Sequence, residues 1–154
     1  MDNNQLLQKL CDALAITESD MQDILLLAGH TPGPEELQGL LANEAGQDGL
    51  ACSDIVLRHF LEGLILQERG PREDGTSVAI EDRPLSNNQV LKKLRIAFNL
   101  QADDMQLIFA EGEAELSASE FGALFRKENN KHFRPCSDAL LQSFLAGLTP
   151  SLDE

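Results

Sequence analysis

Apolar residues recur at spacings of three and four along most of this chain, which is the pattern of amphipathic α-helices. The first stretch places Leu6, Leu7, Leu10, Ala13 and Leu14 on one such stripe. Further stretches of the same kind follow, separated by short segments rich in Gly, Pro, Asn and Ser. The pattern therefore predicts an all-α protein of eight helices.

Capping residues indicate where the first two helices begin and end. Helix 1 is predicted to begin at Asn3 or Asn4, because either side chain can accept a hydrogen bond from a first-turn amide. Thr17 and Asp20 have the spacing of a capping box, which predicts the start of helix 2. Gly29 is its predicted end, since glycine tolerates the left-handed conformation that often follows a helix.

The next two helices are bounded by proline, glycine and serine. Pro34 is predicted at the first position of helix 3, where its missing amide is no loss. Residues 45–51, with two glycines, are predicted to form a loop. If Ser53 caps helix 4, Cys52 and Leu57 occupy the two positions of a hydrophobic staple. The pattern thus gives this cysteine a structural role that needs no reactivity.

The chain repeats itself with an offset of 84 residues and no gap. Between positions 3 and 64, 22 of 62 residues are identical to those 84 positions further on. One register held over that length indicates a tandem duplication. The second copy is predicted to repeat the helix plan. Its first helix should begin at Asn87 or Asn88, its second should cover 102–111, and its third should follow the capping box Ser117 to Glu120. Its fourth should run from Ser137 to Leu148 and be ended by Thr149 and Pro150.

We therefore predict two tandem, similar four-helix repeats that share or pack their cores, because a unit of about 60 residues buries little surface alone. The predicted segments are a first repeat over 1–69, an extended linker over 70–85, a second repeat over 86–149 and an acidic tail over 150–154. Gly63 and Gly147 are equivalent and lie inside helical patterns, where glycine costs about 1 kcal/mol relative to alanine. A close helix crossing is predicted at each.

Charge and cysteine usage narrow the class of protein. The formal net charge is −14, of which residues 1–84 carry −11 and residues 85–154 carry −3. Such a field repels phosphate backbones and anionic lipid unless a local basic patch overrides it, which argues against a dedicated nucleic-acid binder. The odd cysteine count without C-x-x-C spacing predicts reduced thiols and a cytoplasmic protein. The N-terminus has no signal-peptide pattern, and the apolar runs are too short to span a bilayer.

Four segments of the second copy carry a resemblance to a known family. They are Asn-Asn-x-Val-Leu-Lys-Lys-Leu-Arg-Ile-Ala-Phe at 87–98, Asp-Asp-Met at 103–105, Leu-Phe-Arg-Lys at 124–127 and Cys-Ser-Asp…Phe-Leu-x-Gly-Leu at 136–148. In combination they resemble the YehS family of small bacterial proteins, and the resemblance covers essentially the whole chain. It implies a largely helical tandem repeat in the bacterial cytoplasm, without an established biochemical activity.

Histidine and cysteine are the residue types that would carry metal or nucleophilic chemistry. The candidates are His30, His59, His132, Cys11, Cys52 and Cys136. None of them shows the short paired spacing of zinc ligands, so neither a metal site nor a cofactor is predicted. Cys136 precedes a predicted helix start and follows Arg134, two features that lower the pKa of a thiol. The interpretation we favour is nevertheless that Cys52 and Cys136 are inert core thiols, packed against Leu57 and Leu141.

Basic residues cluster in the second copy where the first has almost none. The cluster comprises Lys92, Lys93, Arg95, Arg126, Lys127, Lys131 and Arg134, and the first copy has Gln8, Lys9, Cys11, Ala42, Asn43, Gln47 and Leu50 at those positions. One interpretation is favourable charge at helix C-termini and neutralisation of acidic neighbours. The other is a binding site for an anion or an acidic partner, which requires these side chains to converge. Phe133 in the same segment could stack on a base or anchor the loop in the core.

The resulting functional prediction is a non-enzymatic binding or regulatory module whose partner is a protein. The alternative is a nucleic-acid-binding module that uses the basic loop of the second repeat. A cysteine-dependent enzyme, with Cys136 as nucleophile, is the third possibility. No cofactor and no membrane association are predicted, and the sequence predicts no oligomeric state.

Overall fold

The computed structural model describes residues 1–40, 52–71 and 80–152, with side chains described as far as Leu148. Over these ranges the chain forms eight α-helices and no strand, so the all-α prediction is confirmed. The helices are α1 (Asn3–Leu14), α2 (Glu18–Leu27), α3 (Pro34–Leu40), α4 (Asp54–Arg69), α5 (Asn87–Ala97), α6 (Ala102–Glu111), α7 (Ala118–Leu124) and α8 (Asp138–Leu152). Residues 45–51 and half of the predicted linker, residues 72–79, lie outside the described ranges.

The chain divides into two compact units, Met1–Leu85 and Ser86–Glu154. In each unit the second helix packs along the fourth, and the first helix also contacts the fourth. At the end of the first unit, Arg58 of α4 donates from Nε to the carbonyl of Arg83 at 2.7 Å and from Nη2 to that of Pro84 at 3.0 Å. The predicted segment boundaries and the predicted sharing of cores stay predictions.

Each unit has a core built from equivalent apolar positions of its four helices. The fully buried side chains of the first unit include Leu7, Leu10, Met21, Ile24, Leu25, Leu57, Phe60 and Leu61. Those of the second unit include Leu91, Leu94, Met105, Ile108, Phe109, Leu141, Phe144 and Leu145, with an offset of 84 throughout. The period-3.6 stripes seen in the sequence are therefore the core faces of these helices.

The caps of α1 and α5 differ from the prediction. The N-cap of α1 is Asp2, whose Oδ1 accepts from the amide of Gln5 at 2.8 Å, and Gln5 Oε1 accepts from the Asp2 amide at 2.9 Å. The N-cap of α5 is Ser86, whose Oγ accepts from the amide of Gln89 at 3.1 Å. The asparagines predicted as caps are the first two residues of each helix instead, because their side chains are used elsewhere.

These asparagines connect the start of α1 to the turn before α4. Asn4 Oδ1 accepts from the Cys52 amide at 2.7 Å, and Asn3 Nδ2 donates to the Cys52 carbonyl at 3.0 Å and to Asp54 Oδ1 at 2.9 Å. The second unit repeats all three bonds, from Asn87 and Asn88 to Cys136 and Asp138, at 3.0, 2.8 and 2.8 Å. The backbone amide and the backbone carbonyl of each cysteine, which have no partner within α4 or α8, are satisfied in this way.

The other predicted caps are confirmed. Capping boxes join Thr17 to Asp20 and Ser117 to Glu120. Ser53 and Ser137 accept from the third amides of α4 and α8, at 3.3 and 3.1 Å. Cys52, Leu57, Cys136 and Leu141 are all buried, and the contact of each cysteine with its leucine stays a prediction.

The turn after α2 is the left-handed turn predicted from Gly29, which has a φ of +89°. The following amide, that of His30, bonds back to the carbonyl of Leu25 at 2.9 Å. The second unit makes the same turn with Glu113 at a φ of +67°, a position at which a side chain other than glycine is strained.

Gly63 and Gly147 are buried at close helix contacts, as predicted. A Cβ on Gly63 would overlap the carbonyl oxygen of Ile24 in α2, and one on Gly147 would overlap that of Ile108 in α6. Each glycine therefore allows the backbones of the second and fourth helices to approach more closely than any side chain would permit.

The predicted end of the last helix is wrong, because α8 continues through Thr149 and Pro150 to Leu152. A proline inside a helix removes one backbone donor, and its fixed φ is compatible with helical geometry. Pro150 lies so close to the C-terminus of α8 that only the last turn is affected. Part of the predicted acidic tail is thus helical.

Candidate functional site

The segment between α7 and α8 carries four of the seven predicted site residues and is built from consecutive turns. The Asn130 amide bonds to the carbonyl of Lys127 at 2.9 Å, and the Phe133 amide bonds to that of Asn130 at 3.0 Å. Asn130 Oδ1 accepts from the His132 amide at 2.8 Å. The Arg134 amide returns to the carbonyl of Ala123, in α7, at 3.0 Å. The loop therefore has a defined backbone conformation.

Helix α5 carries the other three residues and is joined to this loop at two points. Asn88 Nδ2 donates to the carbonyls of Leu124 and Arg134, both at 2.9 Å. In the last turn of α5, the guanidinium of Arg95 lies 5.0 Å from the ring centre of Phe125 and 5.7 Å from that of Phe121. A stripe of α5 thus faces the end of α7 and the beginning and end of the loop.

Lys92 lies on that stripe. It follows Asn88 by four residues and precedes Arg95 by three, and side chains at those spacings are neighbours on a helix surface. The Asn88 side chain and the Arg95 guanidinium both contact α7 or the loop, and the spacing places Lys92 on the same face of α5. Its side chain is exposed.

Three of the seven predicted residues have partners inside the protein. Arg95 stacks on two phenylalanine rings and donates from Nε to the carbonyl of Leu100 at 3.2 Å. Arg134 Nη1 pairs with Glu120 Oε2 at 3.2 Å. Lys93 is half-buried and also interacts within the protein. Arg95 thus connects α5 to α7 and the loop, and Arg134 connects the loop to α7.

The remaining four residues, Lys92, Arg126, Lys127 and Lys131, are exposed, and none forms an ion pair with any residue that the structure describes. We call these four the basic surface. Arg126 directly follows Phe125, on whose ring Arg95 is stacked. The structure thus brings together the two segments that carry the basic surface, although they are more than 30 residues apart in sequence.

The charge of the second unit is separated along its helices. Residues 86–97 and 120–134 together hold all seven of its basic side chains and two acidic ones, Glu120 and Glu128. Its other eight acidic residues lie on α6, in the α6–α7 connection, at the start of α8 and at the C-terminus. The basic side chains of the second unit therefore lie on two segments that contact each other and carry few acidic residues.

Cys136 follows the loop that carries Arg126, Lys127 and Lys131, and its environment disfavours the nucleophilic thiolate. Its side chain is buried, and its Sγ is 3.5 Å from the carbonyl oxygen of Ser137. Burial is the main cause that raises the pKa of the Cys136 thiol to about 11; Arg134 opposes it, and Asp138 adds a smaller rise within that value. His132, the base that thiol chemistry would use, is exposed, and no hydrogen bond joins it to the sulfur within this described region. Burial likewise raises the pKa of Cys52 to about 12.

Two histidines of the first unit lie side by side, which the sequence analysis missed. The ring centres of His30 and His59 are 5.3 Å apart, and His30 Nε2 is 2.8 Å from Glu36 Oε1. The two histidines are 29 positions apart, so no spacing motif indicates their proximity. The available signal was that His30 directly follows Gly29 at the end of helix 2, and that His59 precedes the crossing glycine of helix 4.

No described helix is long and apolar enough to cross a membrane.

These features define a small all-helical protein whose two units share a serine cap on the fourth helix, the same asparagine contacts and the same glycine crossings. The sequence profile of a family described as proteins of unknown function, DUF1456, matches residues 3–70 and again residues 87–151. The chain is also 38% identical over 149 residues to the uncharacterized protein YehS of Escherichia coli strain K12, which covers 96% of this chain and 94% of that protein. The chain therefore belongs to the DUF1456 family, and the resemblance to YehS is confirmed. No solved structure matches the chain.

Proposed function

We propose that this protein is a non-enzymatic binding module that docks an acidic protein partner on the basic surface of its second unit. The observation that carries the proposal is the placement of four exposed, unpaired cations on two segments that Asn88 and Arg95 connect. Charges arranged in this way attract an oppositely charged partner and orient it during encounter.

The conformation of the loop supports binding rather than solvation alone. The carbonyls of Leu124, Lys127 and Asn130 all accept hydrogen bonds, from Asn88, Asn130 and Phe133. A loop whose backbone is already fixed loses less conformational freedom when a partner docks. Charges that served only to keep the protein in solution would not need such a framework.

A protein partner is favoured over nucleic acid by the field of the whole molecule. The net charge is −14, and even the second unit carries −3. A nucleic acid extends well beyond four cations, so most of its phosphates would face acidic surface. An acidic patch on a folded protein can match the basic surface alone. A cytoplasmic location, where the three thiols stay reduced, is part of this proposal.

The test is the double charge reversal Arg126→Glu with Lys127→Glu, used as bait in host lysate. Both side chains are exposed and without ion-pair partners in the described part of the chain, so the fold should be unaffected. The matched control is Lys9→Glu with Gln22→Glu and Gln38→Glu, which changes the net charge equally on exposed residues of the first unit. Far-UV circular dichroism confirms the folding of each variant.

We expect the Arg126/Lys127 variant to recover about tenfold less of a specific partner than the wild type or the control at low salt. Recovery by the wild type should fall as salt rises and should survive nuclease treatment. Recovery that nuclease abolishes would identify the nucleic-acid alternative instead. Equal recovery by the variant and the control would refute a role for the basic surface.

A further inference from the structure

The two neighbouring histidines of the first unit are each held by a hydrogen bond to an oxygen atom. His59 Nδ1 lies 2.7 Å from the carbonyl oxygen of Ile55, one turn earlier on α4. His30 Nε2 lies 2.8 Å from Glu36 Oε1, on α3. Both rings are half-buried, so they remain accessible to a small ion.

These oxygen partners determine which ring nitrogen carries the proton. A carbonyl oxygen and a carboxylate accept hydrogen bonds and cannot donate them, so His59 Nδ1 and His30 Nε2 are the donors. In the neutral rings, His59 Nε2 and His30 Nδ1 therefore hold the free lone pairs. A histidine that binds a metal through one nitrogen commonly donates from the other to a carboxylate or a backbone carbonyl, and each ring here has one of these two partners.

The separation of the rings also suits a shared ion. With a metal–nitrogen distance of about 2.1 Å and a tetrahedral angle, two coordinating imidazoles have ring centres about 5 Å apart. The observed separation is 5.3 Å, with the ring planes tilted by 46°. An ordinary stacked pair does not require that each ring also be fixed by its own acceptor.

We propose that His30 and His59 form a two-histidine site for a divalent transition metal of the Zn²⁺, Ni²⁺ or Cu²⁺ type, which favours imidazole ligands. No group of three or more His, Cys, Asp and Glu side chains that could hold a metal occurs in the described ranges, so the two imidazoles are the ligands that these ranges supply. Glu36 and the Ile55 carbonyl orient the two rings. The site belongs to the first unit alone, because the second unit has Ala114 and Ser143 at these positions.

Calorimetric titration of the untagged, chelator-treated chain with Zn²⁺ and with Ni²⁺ tests this site. We expect one ion per chain, with affinity reduced at least tenfold in His30→Ala and in His59→Ala. Glu36→Ala should weaken binding about tenfold, the usual effect of losing such a supporting contact. His132→Ala is the matched control, because His132 is the third histidine and lies exposed in the second unit.

A measurement on the unaltered protein guards against variants that fold poorly. Zn²⁺ should shift the side-chain nitrogen resonances of His30 Nδ1 and His59 Nε2 in NMR spectra and leave those of His132 unchanged. If Zn²⁺ at about 1 mM produces no shifts at His30 and His59, the proposal is overturned, because a dissociation constant above that concentration does not define a specific binding site. Binding of Zn²⁺ to acidic side chains alone would give that same negative result.

Discussion

Adding a single methyl group at the α6–α8 crossing tests the reasoning about the fold most directly. In Gly147→Ala, the new Cβ would lie 2.9 Å from the Gly112 amide nitrogen and 3.0 Å from the Ile108 carbonyl carbon, and would overlap the Ile108 oxygen. Ordinary contacts of a Cβ begin at 3.4 Å. All three obstructing atoms belong to backbone, so α6 and α8 must separate to accommodate the methyl group.

The expected magnitude follows from two opposing terms. Replacing glycine by alanine inside a helix stabilises it by up to about 1 kcal/mol. Overpacking a core costs about 1–3 kcal/mol and occasionally more, and an overlap with backbone belongs at the upper end because no side chain can rotate away. We therefore expect a net loss of about 2 kcal/mol, which for a unit of this size lowers the melting temperature by about 10 °C.

Gly122→Ala is the matched control for this substitution. Gly122 lies inside α7, and a Cβ built there meets nothing within 4 Å. Only the helix-propensity term applies, so this variant should be as stable as the wild type or more stable by up to about 1 kcal/mol. Gly63→Ala repeats the test in the first unit, where the Cβ would lie 2.8 Å from the Ile24 carbonyl carbon.

Urea unfolding followed by circular dichroism at 222 nm is the appropriate assay, because the chain has no Trp or Tyr to report by fluorescence. The midpoints of Gly147→Ala and Gly63→Ala should fall, and that of Gly122→Ala should not. Midpoints for the two crossing variants at or above the wild-type value would show that the helices separate without cost. The close-crossing argument would then be wrong.

Two further predictions concern the contacts around Cys136. Asn88→Ala removes hydrogen bonds to the carbonyls of Leu124 and Arg134 and to the Cys136 amide, so it should lower the free energy of unfolding by about 2–4 kcal/mol in the same assay. Asn129→Ala, at an exposed position, should cost almost nothing, and equal midpoints for the two variants would contradict the role of Asn88. The cysteines should resist a thiol reagent at pH 8 in the folded protein and react on unfolding. Burial raises the pKa of the Cys136 thiol to about 11, and the reactive thiolate becomes populated only as the pH approaches that value. Rapid labelling of the native protein at pH 8 would contradict burial and restore the enzymatic alternative.

Helix positions were predictable because several local signals coincide in this chain. The helix predicted over 102–111 is α6, Ala102–Glu111. The apolar stripe gives its buried face, and glycine ends the helix at its C-cap. The capping boxes at Thr17 and Ser117 likewise involve residues three apart, so sequence spacing alone determines them.

Sequence signals predicted the helix caps wrongly where a side chain has a partner far away in the sequence. Asn3 and Asn87 have good capping chemistry, but each donates to a cysteine carbonyl 49 residues away. That long-range bond has no sequence signature, so sequence reasoning favours the asparagines over Asp2 and Ser86 as the N-caps. The proline rule also failed at Pro150, because it describes helix interiors and this residue lies in a final turn.

The basic surface was predictable as a list of residues and unpredictable as a site. The sequence shows seven unmatched cations in the second copy, but it does not show which of them are already engaged. Arg95 was expected to be available, and instead it lies over the rings of Phe121 and Phe125. Contacts between side chains on different helices depend on the packing of α5 against α7, which periodicity does not encode.

The difference between the two copies carries more functional information than their identity. Positions that are identical in both copies, such as Asn4 with Asn88 and Gly63 with Gly147, join the first helix to the turn before the fourth and allow the helices to cross closely, and those roles are the same in both units. The basic surface has uncharged residues at every equivalent position of the first copy, and the histidine pair has Ala114 and Ser143 in the second. Each unit therefore presents different chemistry on one scaffold. A substitution at a shared position should affect stability, whereas a substitution at one of these divergent positions should affect binding with little change in stability, and the experiments above separate the two classes.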